Sequence, residues 1–307
     1  MFIPHFLRGA RLCIGFLFLI AAQPSQAALE PLKPEYLEND QVRIGVDLGS
    51  GGGIFYFSQK SPERNLLNHF DKGRFIQQSY YGVADGSDWN KKPWRWNPVQ
   101  GGGWKGEPAK VLEFSNKGGT LYVKTRPKHW ATGEDINDAV MEEWIALRGN
   151  VAAVHFKFTY TGTTSHPASH QELPAFFADY ALPNLTFYNG NKPWIGAELT
   201  QKVPGFPNEG ARADESWAAY VDDAGWGIGA YFPDKIHLTT YRAKGDGKAG
   251  PVGSACSYFA PVETIAITPG FIHEYDLFIT IGDVAKIREA FRTIHAERLK
   301  NSNLSPQ

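Results

Sequence analysis

Cysteine is nearly absent from this 307-residue sequence: Cys13 and Cys256 are the whole complement, too few for a disulfide framework or a cysteine-rich zinc site. A surplus of one charge is also missing. Thirty-one basic and 32 acidic side chains give a formal charge of −1, so no basic surface marks a nucleic-acid binder. Past residue 30 no stretch is long and uncharged enough for a membrane helix. The sequence has no HExxH motif, no GxSxG elbow and no phosphate-binding loop, and its histidines are scattered, so neither a metal nor another cofactor is expected. Gly49-Ser50-Gly51-Gly52-Gly53 lies between two strand-like runs with no helix after it, which reads as a hairpin turn. No repeat of 20 to 50 residues appears, which disfavours solenoids and propellers.

Aromatic residues and turn formers are abundant. Nine Trp, 13 Tyr and 20 Phe accompany 32 Gly and 20 Pro, the mixture expected of an all-β protein with many turns. Arg8 and Arg11 precede an apolar run from Cys13 to Ala22, and Ser25-Gln26-Ala27 offers the small residues a signal peptidase cuts after. Cleavage after Ala27 is expected, which places the mature protein in the periplasm or outside the cell. Loss of both arginines would leave 29 basic against 32 acidic groups, a net −3.

After a leader over 28–41, alternating or apolar runs between turn signals predict strands at 42–48, 53–58, 74–81, 120–126, 140–147, 151–160, 217–221, 226–232, 236–241, 262–268 and 274–281. One helix is expected after Asp283 as N-cap. Val284, Ile287, Phe291 and Ile294 recur at helical spacing, and Arg298 and Lys300 suit its C-terminal end. Eleven strands closed by one helix predict a single domain over 42–300, a β-sandwich of two large sheets, with a short tail at 301–307.

One hairpin can be set in register. Gly149-Asn150 suits a two-residue loop, which places Arg148 opposite Val151, Ile145 opposite Val154 and Glu143 opposite Phe156 on a mainly apolar face. The other face carries Trp144 opposite His155 and Glu142 opposite Lys157. That gathering of ring, imidazole, carboxylate and ammonium resembles a sugar-binding sheet face, although a cross-strand ion pair on a solvated face would look the same.

Three further clusters bear chemistry. The segment 89–104 holds four tryptophans, Trp89, Trp94, Trp96 and Trp104, among Gly and Pro, and is expected to be a long ordered loop of the kind that lines carbohydrate clefts. Asp71-Lys72-Gly73-Arg74 sits at a turn, and alternation beyond it sends Arg74, Ile76, Gln78 and Tyr80 to one face and Phe75, Gln77, Ser79 and Tyr81 to the other. In His170-Gln171-Glu172-Leu173-Pro174-Ala175, Pro174 disfavours helix, so His170 and Glu172 should project to the same side.

Gly51-Gly52-Gly53-Ile54, Asn65-Leu66-Leu67-Asn68, Asp71-Lys72-Gly73-Arg74, Met141-Glu142-Glu143-Trp144 and Gln171-Glu172-Leu173-Pro174-Ala175, with Tyr188 and Lys192-Pro193-Trp194, together resemble a group of secreted bacterial proteins. Their opening pattern is similar to that of the galactose-mutarotase-like β-supersandwich enzymes. The resemblance spans about Val42 to Trp194, with a closing strand and helix, and implies a supersandwich acting on carbohydrate. The mutarotase set of two histidines and a glutamate does not map onto the chain, which weighs against simple epimerisation.

A glycoside hydrolase needs one carboxyl group as proton donor and a second to attack or to activate water. The expected pair is Glu142, as acid beside Trp144, and Glu172, with Asp71 able to replace either. Arg74, Gln78, Tyr80, Asn97, Gln100, His155, His170 and Tyr188 are expected to position a glycan, and Trp94, Trp96, Trp144 and Trp194 to stack on it. Two alternatives remain. A polysaccharide lyase would use Arg74 or Asn97 to neutralise a uronate and His170 or Tyr80 to take its proton; a glycan-binding protein would do no chemistry.

Overall fold

A computed structural model describes residues 33–302. The segment expected to direct export, 1–27, and with it Cys13, lies outside the described residues. Two large antiparallel sheets dominate. The nine-stranded sheet runs, edge to edge, Thr200–Lys202, Asn184–Phe187, Trp217–Val221, Trp226–Tyr231, Ile272–Asp283, Val151–Tyr160, Ala139–Arg148, Thr120–Arg126 and Lys110–Lys117. The seven-stranded sheet runs Lys128–His129, Pro98–Val99, Gln77–Ser79, His166–Asp179, Cys256–Ile267, His237–Ala243 and Glu209–Arg212. Period-two alternation explains how they meet. Met141, Ile145, Val154, Phe156, Phe158 and Leu277 from the first sheet pack with Tyr80, Leu173, Phe176 and Phe259 from the second in one buried core. The expected all-β sandwich is what the chain forms.

The 148–151 hairpin has the register its turn residues predicted, with Glu142 opposite Lys157, Glu143 opposite Phe156 and Trp144 opposite His155. The glycine run is a turn between the antiparallel strands Val42–Asp47 and Gly53–Gln59. Gly51 there has φ +61°, and a Cβ on it would meet the Gln100 carbonyl oxygen at 1.9 Å, so only glycine fits. The C-terminal helix, Val284–Ser302, covers part of the outer face of the nine-stranded sheet, burying Ile287 and Phe291 against Trp217, Ala219, Tyr231 and Phe278. Its expected place on the outside of a sheet is correct.

Three expectations need correction. Glu35–Glu38 pairs with Val42–Asp47, so the folded unit takes in residues assigned to a leader. The 74–81 run is a strand only over Gln77–Ser79, because the Asp71–Arg74 turn carries into it. The 89–104 segment is less of a loop than its Gly and Pro suggest: Lys92–Arg95 returns on Ala84–Trp89 as a hairpin, turning at Asn90 and Lys91 with positive φ, and Pro98–Val99 joins the seven-stranded sheet.

Candidate functional site

The outer face of the seven-stranded sheet, opposite the core, holds a cavity of about 370 Å³. Alternation builds its floor. Gln77 and Ser79 point outward while Gln78 points to the core; Glu172, Ala175 and Phe177 come from the next strand, and Tyr258 and Tyr241 from the two after it. A bulge between Glu172 and Phe176 at Pro174 resets the alternation along that strand. Trp89 and Trp94 reach over from the projecting hairpin, their ring centroids 4.9 Å apart, and Trp130 completes the aromatic wall 6.5 Å from Trp89. The Trp130 ring lies where a Cβ on Gly73 would sit, 2.5 Å from that position. Only glycine at 73 lets this wall close over the Asp71–Arg74 turn.

Two carboxyl groups face the cavity. Glu172 Oε2 accepts hydrogen bonds from Tyr258 Oη at 2.6 Å and Tyr81 Oη at 3.2 Å, and its Oε1 lies 3.8 Å from His170 Nε2. Burial, reinforced by the Glu172 charge, holds both phenols well above the usual tyrosine range, so they remain donors at every physiological pH. Asp71 Oδ1 accepts from the Gly73 amide at 2.9 Å, and Oδ2 lies 3.4 Å from Arg74 Nε. Burial raises the Asp71 carboxyl above its ordinary value, with Arg74 and the backbone amides pulling the other way. Arg74 is itself fixed, donating from Nη1 to the Ser254 carbonyl at 2.8 Å. Asn97 is buried beneath the wall; it accepts from Trp94 Nε1 at 3.2 Å and donates to the Tyr80 carbonyl at 2.7 Å, so it orients Trp94.

Of the expected site residues, the cavity gathers Asp71, Arg74, Trp94, Asn97 and Glu172, with half-exposed His170 beside Glu172. The rest lie elsewhere. Glu142, Trp144 and His155 stand on the outer face of the nine-stranded sheet, so both sheets separate Glu142 from Glu172. The expected Glu142–Glu172 pair does not converge. Gln78 is buried between the sheets and donates to the Glu142 carbonyl at 3.0 Å; Tyr80 stacks on Phe158 in the core at 4.0 Å. Trp96 stacks on His166 at 4.2 Å against the core. Gln100 is buried and donates to Glu143 Oε2 at 3.0 Å. Burial raises that Glu143 carboxyl to about 8, although its partners form the middle of the sandwich and no site. Buried Tyr188 accepts from the Lys192 amide, and Trp194 stacks on His295 of the helix at 4.8 Å. In each of these cases a polar or aromatic side chain packs where its strand face or loop puts it.

Trp89 belongs to the tryptophan-rich segment expected to line a cleft; the sequence reading missed Trp130 as a wall residue and Tyr81, Tyr241 and Tyr258 as floor residues. For Tyr81 a signal existed: it shares a strand face with Gln77 and Ser79. The others had none, because which distant strands become neighbours is not written in their spacing.

No family model matches the sequence, and no curated protein matches it. Among solved structures, an Escherichia coli K12 protein provisionally described as an aldose 1-epimerase superposes with a TM-score of 0.52 at 14% identity, covering 81% of this chain and 98% of that one. The fold is the galactose-mutarotase-like supersandwich. A galactose mutarotase-like protein from Lactobacillus casei ATCC 334 aligns with a TM-score of 0.51 at 10% identity, covering 81% of this chain and 99% of its own. At such identities the supersandwich likeness is one of architecture and transfers no residue roles. Among the described residues no three His, Cys, Asp or Glu side chains are grouped to hold a metal ion, and no helix is long and apolar enough to cross a membrane.

Proposed function

We propose that the protein is an exported carbohydrate-active enzyme that hydrolyses a glycosidic bond in the cavity on the seven-stranded sheet. The carrying observation is that Asp71, Glu172 and Arg74 meet one wall of three tryptophans. Indole faces stack on the C–H faces of a sugar ring, and buried carboxyl, phenol and amide groups fix its hydroxyls. The cavity is at the small end of the roughly 300–1,000 Å³ typical of ligand sites, a size suited to one or two sugar units.

The two carboxyl groups have unlike surroundings, which suits unlike roles. Asp71, pushed up by burial, holds its proton to a higher pH than an ordinary aspartate and serves as acid toward the leaving oxygen. Glu172 is locked by two phenol donors and serves as nucleophile or as the base that activates water. Arg74 orients Asp71, and Trp94, set by Asn97, stacks the sugar. Asp71 thereby takes the acid role first expected of Glu142.

A second reading rests on the names of the two fold neighbours: the same carboxyl pair could open and reclose the ring of a free aldose. Products separate the readings. Hydrolysis releases a new reducing end, mutarotation changes only the anomer ratio, and lyase chemistry leaves an unsaturated sugar that absorbs ultraviolet light. A panel of plant, algal and bacterial glycans and free aldoses, assayed with wild type, Asp71→Asn and Glu172→Gln, tests the proposal. New reducing ends that vanish in both variants are expected; turnover unchanged in both would refute the assignment. Export rests on the Arg8 to Ala27 segment and is checked by fractionating cells and sequencing the mature N-terminus, which should begin at Ala28.

A further inference from the structure

Glu142, Trp144 and His155 lie outside the cavity, and their arrangement still needs a physical account. Tyr122, Trp144 and His155 stand opposite one another on three consecutive strands. Their ring centroids are 5.0 and 5.5 Å apart, with the rings tilted by 32° and 47°. One strand further, Asp276 Oδ1 lies 2.9 Å from His155 Nδ1. A second row runs alongside: Glu142 accepts from Tyr122 Oη at 2.7 Å, and Lys157 lies 3.2 Å from Glu274. The C-terminal helix covers the sheet around Trp217, Tyr231 and Phe278, and this aromatic row lies on the part it leaves partly open, with the His155 side chain 41% exposed. At its His155 end the row meets a second cavity of about 410 Å³, which His155 and Asp276 line together with Lys235, His273 and Arg298.

We propose that this face is a second saccharide-binding surface, separate from the cavity on the opposite sheet, and that it takes an extended neutral glycan chain. Packing does not require a tryptophan and a tyrosine side by side on a half-open sheet face, and rimmed aromatic surfaces of this kind mark interaction sites. Charge chooses the occupant. Glu142, Lys157, Glu274, Asp276 and Arg298 bring both signs to the face, Lys157 paired with Glu274 and Arg298 with Asp276, so a polyanion or an anionic membrane finds no uniform field. Hydroxyl groups, which both donate and accept, can pair with every member of that row. The row crosses four strands, about 15 Å at the usual strand spacing, so a chain of several sugar units can engage its whole length and then the second cavity, whereas a single sugar reaches only part of it.

The inference does not draw on the chemistry proposed for the first cavity, and its test is run in a variant lacking that chemistry, with each added change compared against that variant alone. The full-length Glu172→Gln protein is electrophoresed through native gels containing glucomannan, xyloglucan or hydroxyethylcellulose, with polygalacturonate as the anionic control. Retardation by at least one neutral glycan is expected. Adding Trp144→Ala should weaken the apparent affinity about tenfold, the scale of losing one stacked ring. Adding His155→Ala, a change at an exposed position that tests the surface even if Trp144→Ala does not fold, should weaken it to a smaller extent. Retardation unaltered by His155→Ala and by a folded Trp144→Ala, retardation by polygalacturonate alone, or none in any of the three neutral gels would each overturn the proposal.

Discussion

Replacing Glu143 by Gln should make the protein more stable, by an amount that depends on pH. Glu143 is fully buried between the sheets, with one hydrogen bond, from Gln100, and a second oxygen that has none. Burial raises its carboxyl from 4.5 to about 8. An unfolded chain releases this proton near the ordinary value, the folded chain only near 8. Between those values the folded state binds more protons, so raising the pH favours unfolding. At about 1.36 kcal/mol per pH unit, the stability lost between pH 4.5 and 8 is roughly 4 to 5 kcal/mol, of which about 3 is lost by pH 7. The amide oxygen introduced by Glu143→Gln would accept the same bond from Gln100, and the amide would not titrate. Urea unfolding of both proteins at pH 4.5, 7 and 9 measures the effect. Midpoints should agree within about 0.3 M at the lowest pH. At the highest the variant should be ahead by about 1.5 M, taking a slope of about 3 kcal/mol per M. Parallel pH profiles for the two proteins would refute the reasoning, because Glu143 would then ionise without penalty and could not be sealed in the core.

Other expectations concern packing and the cavity. Arg288 binds the buried Glu215 carboxylate, which also takes the Trp217 indole N–H and the Trp194 amide; Arg288→Ala leaves that charge without its cation and should cost about 3–5 kcal/mol in chemical denaturation. Gly51→Ala combines a positive φ with a 1.9 Å clash against the Gln100 carbonyl and should cost more than about 2 kcal/mol, seen as a lower melting temperature. Trp94→Ala removes one stacking ring and should raise KM about tenfold for the glycan that wild type cleaves, with the circular dichroism spectrum unchanged. The raised Asp71 carboxyl predicts activity that falls as pH rises through its proton loss, above the ordinary aspartate value, and Arg74→Gln, which removes the cation pulling the other way, should move that limb to higher pH.

The hairpin at 148–151 shows how much of the fold was legible. Gly149-Asn150 fixed a turn, the turn fixed the register, and period-two alternation then separated Glu143 from Glu142 correctly. Alternation gives two faces for a strand, however, and both sheets of a sandwich have an outer face. Glu142 and Glu172 each point outward, as their spacing allowed, and they point away from each other. The cavity depends on non-local pairing: Tyr258 lies beside Glu172 because Cys256–Ile267 pairs with His166–Asp179, and two prolines hid the second of these strands. Asp71 and Arg74 were recognisable because a turn places both by local geometry. Trp130 was not, because the close packing on Gly73 that brings it to the wall exists only in the folded chain.

The central claim is that chemistry occurs on the seven-stranded sheet and not on the face carrying Glu142. Its most direct test is the rate of reducing-end release from one cleaved glycan by Glu172→Gln and Glu142→Gln measured side by side. Loss of at least about a hundredfold in the first, the usual scale for a missing acid or base, with near wild-type turnover in the second, is the expected result. Full activity in Glu172→Gln together with an inactive but folded Glu142→Gln would contradict it.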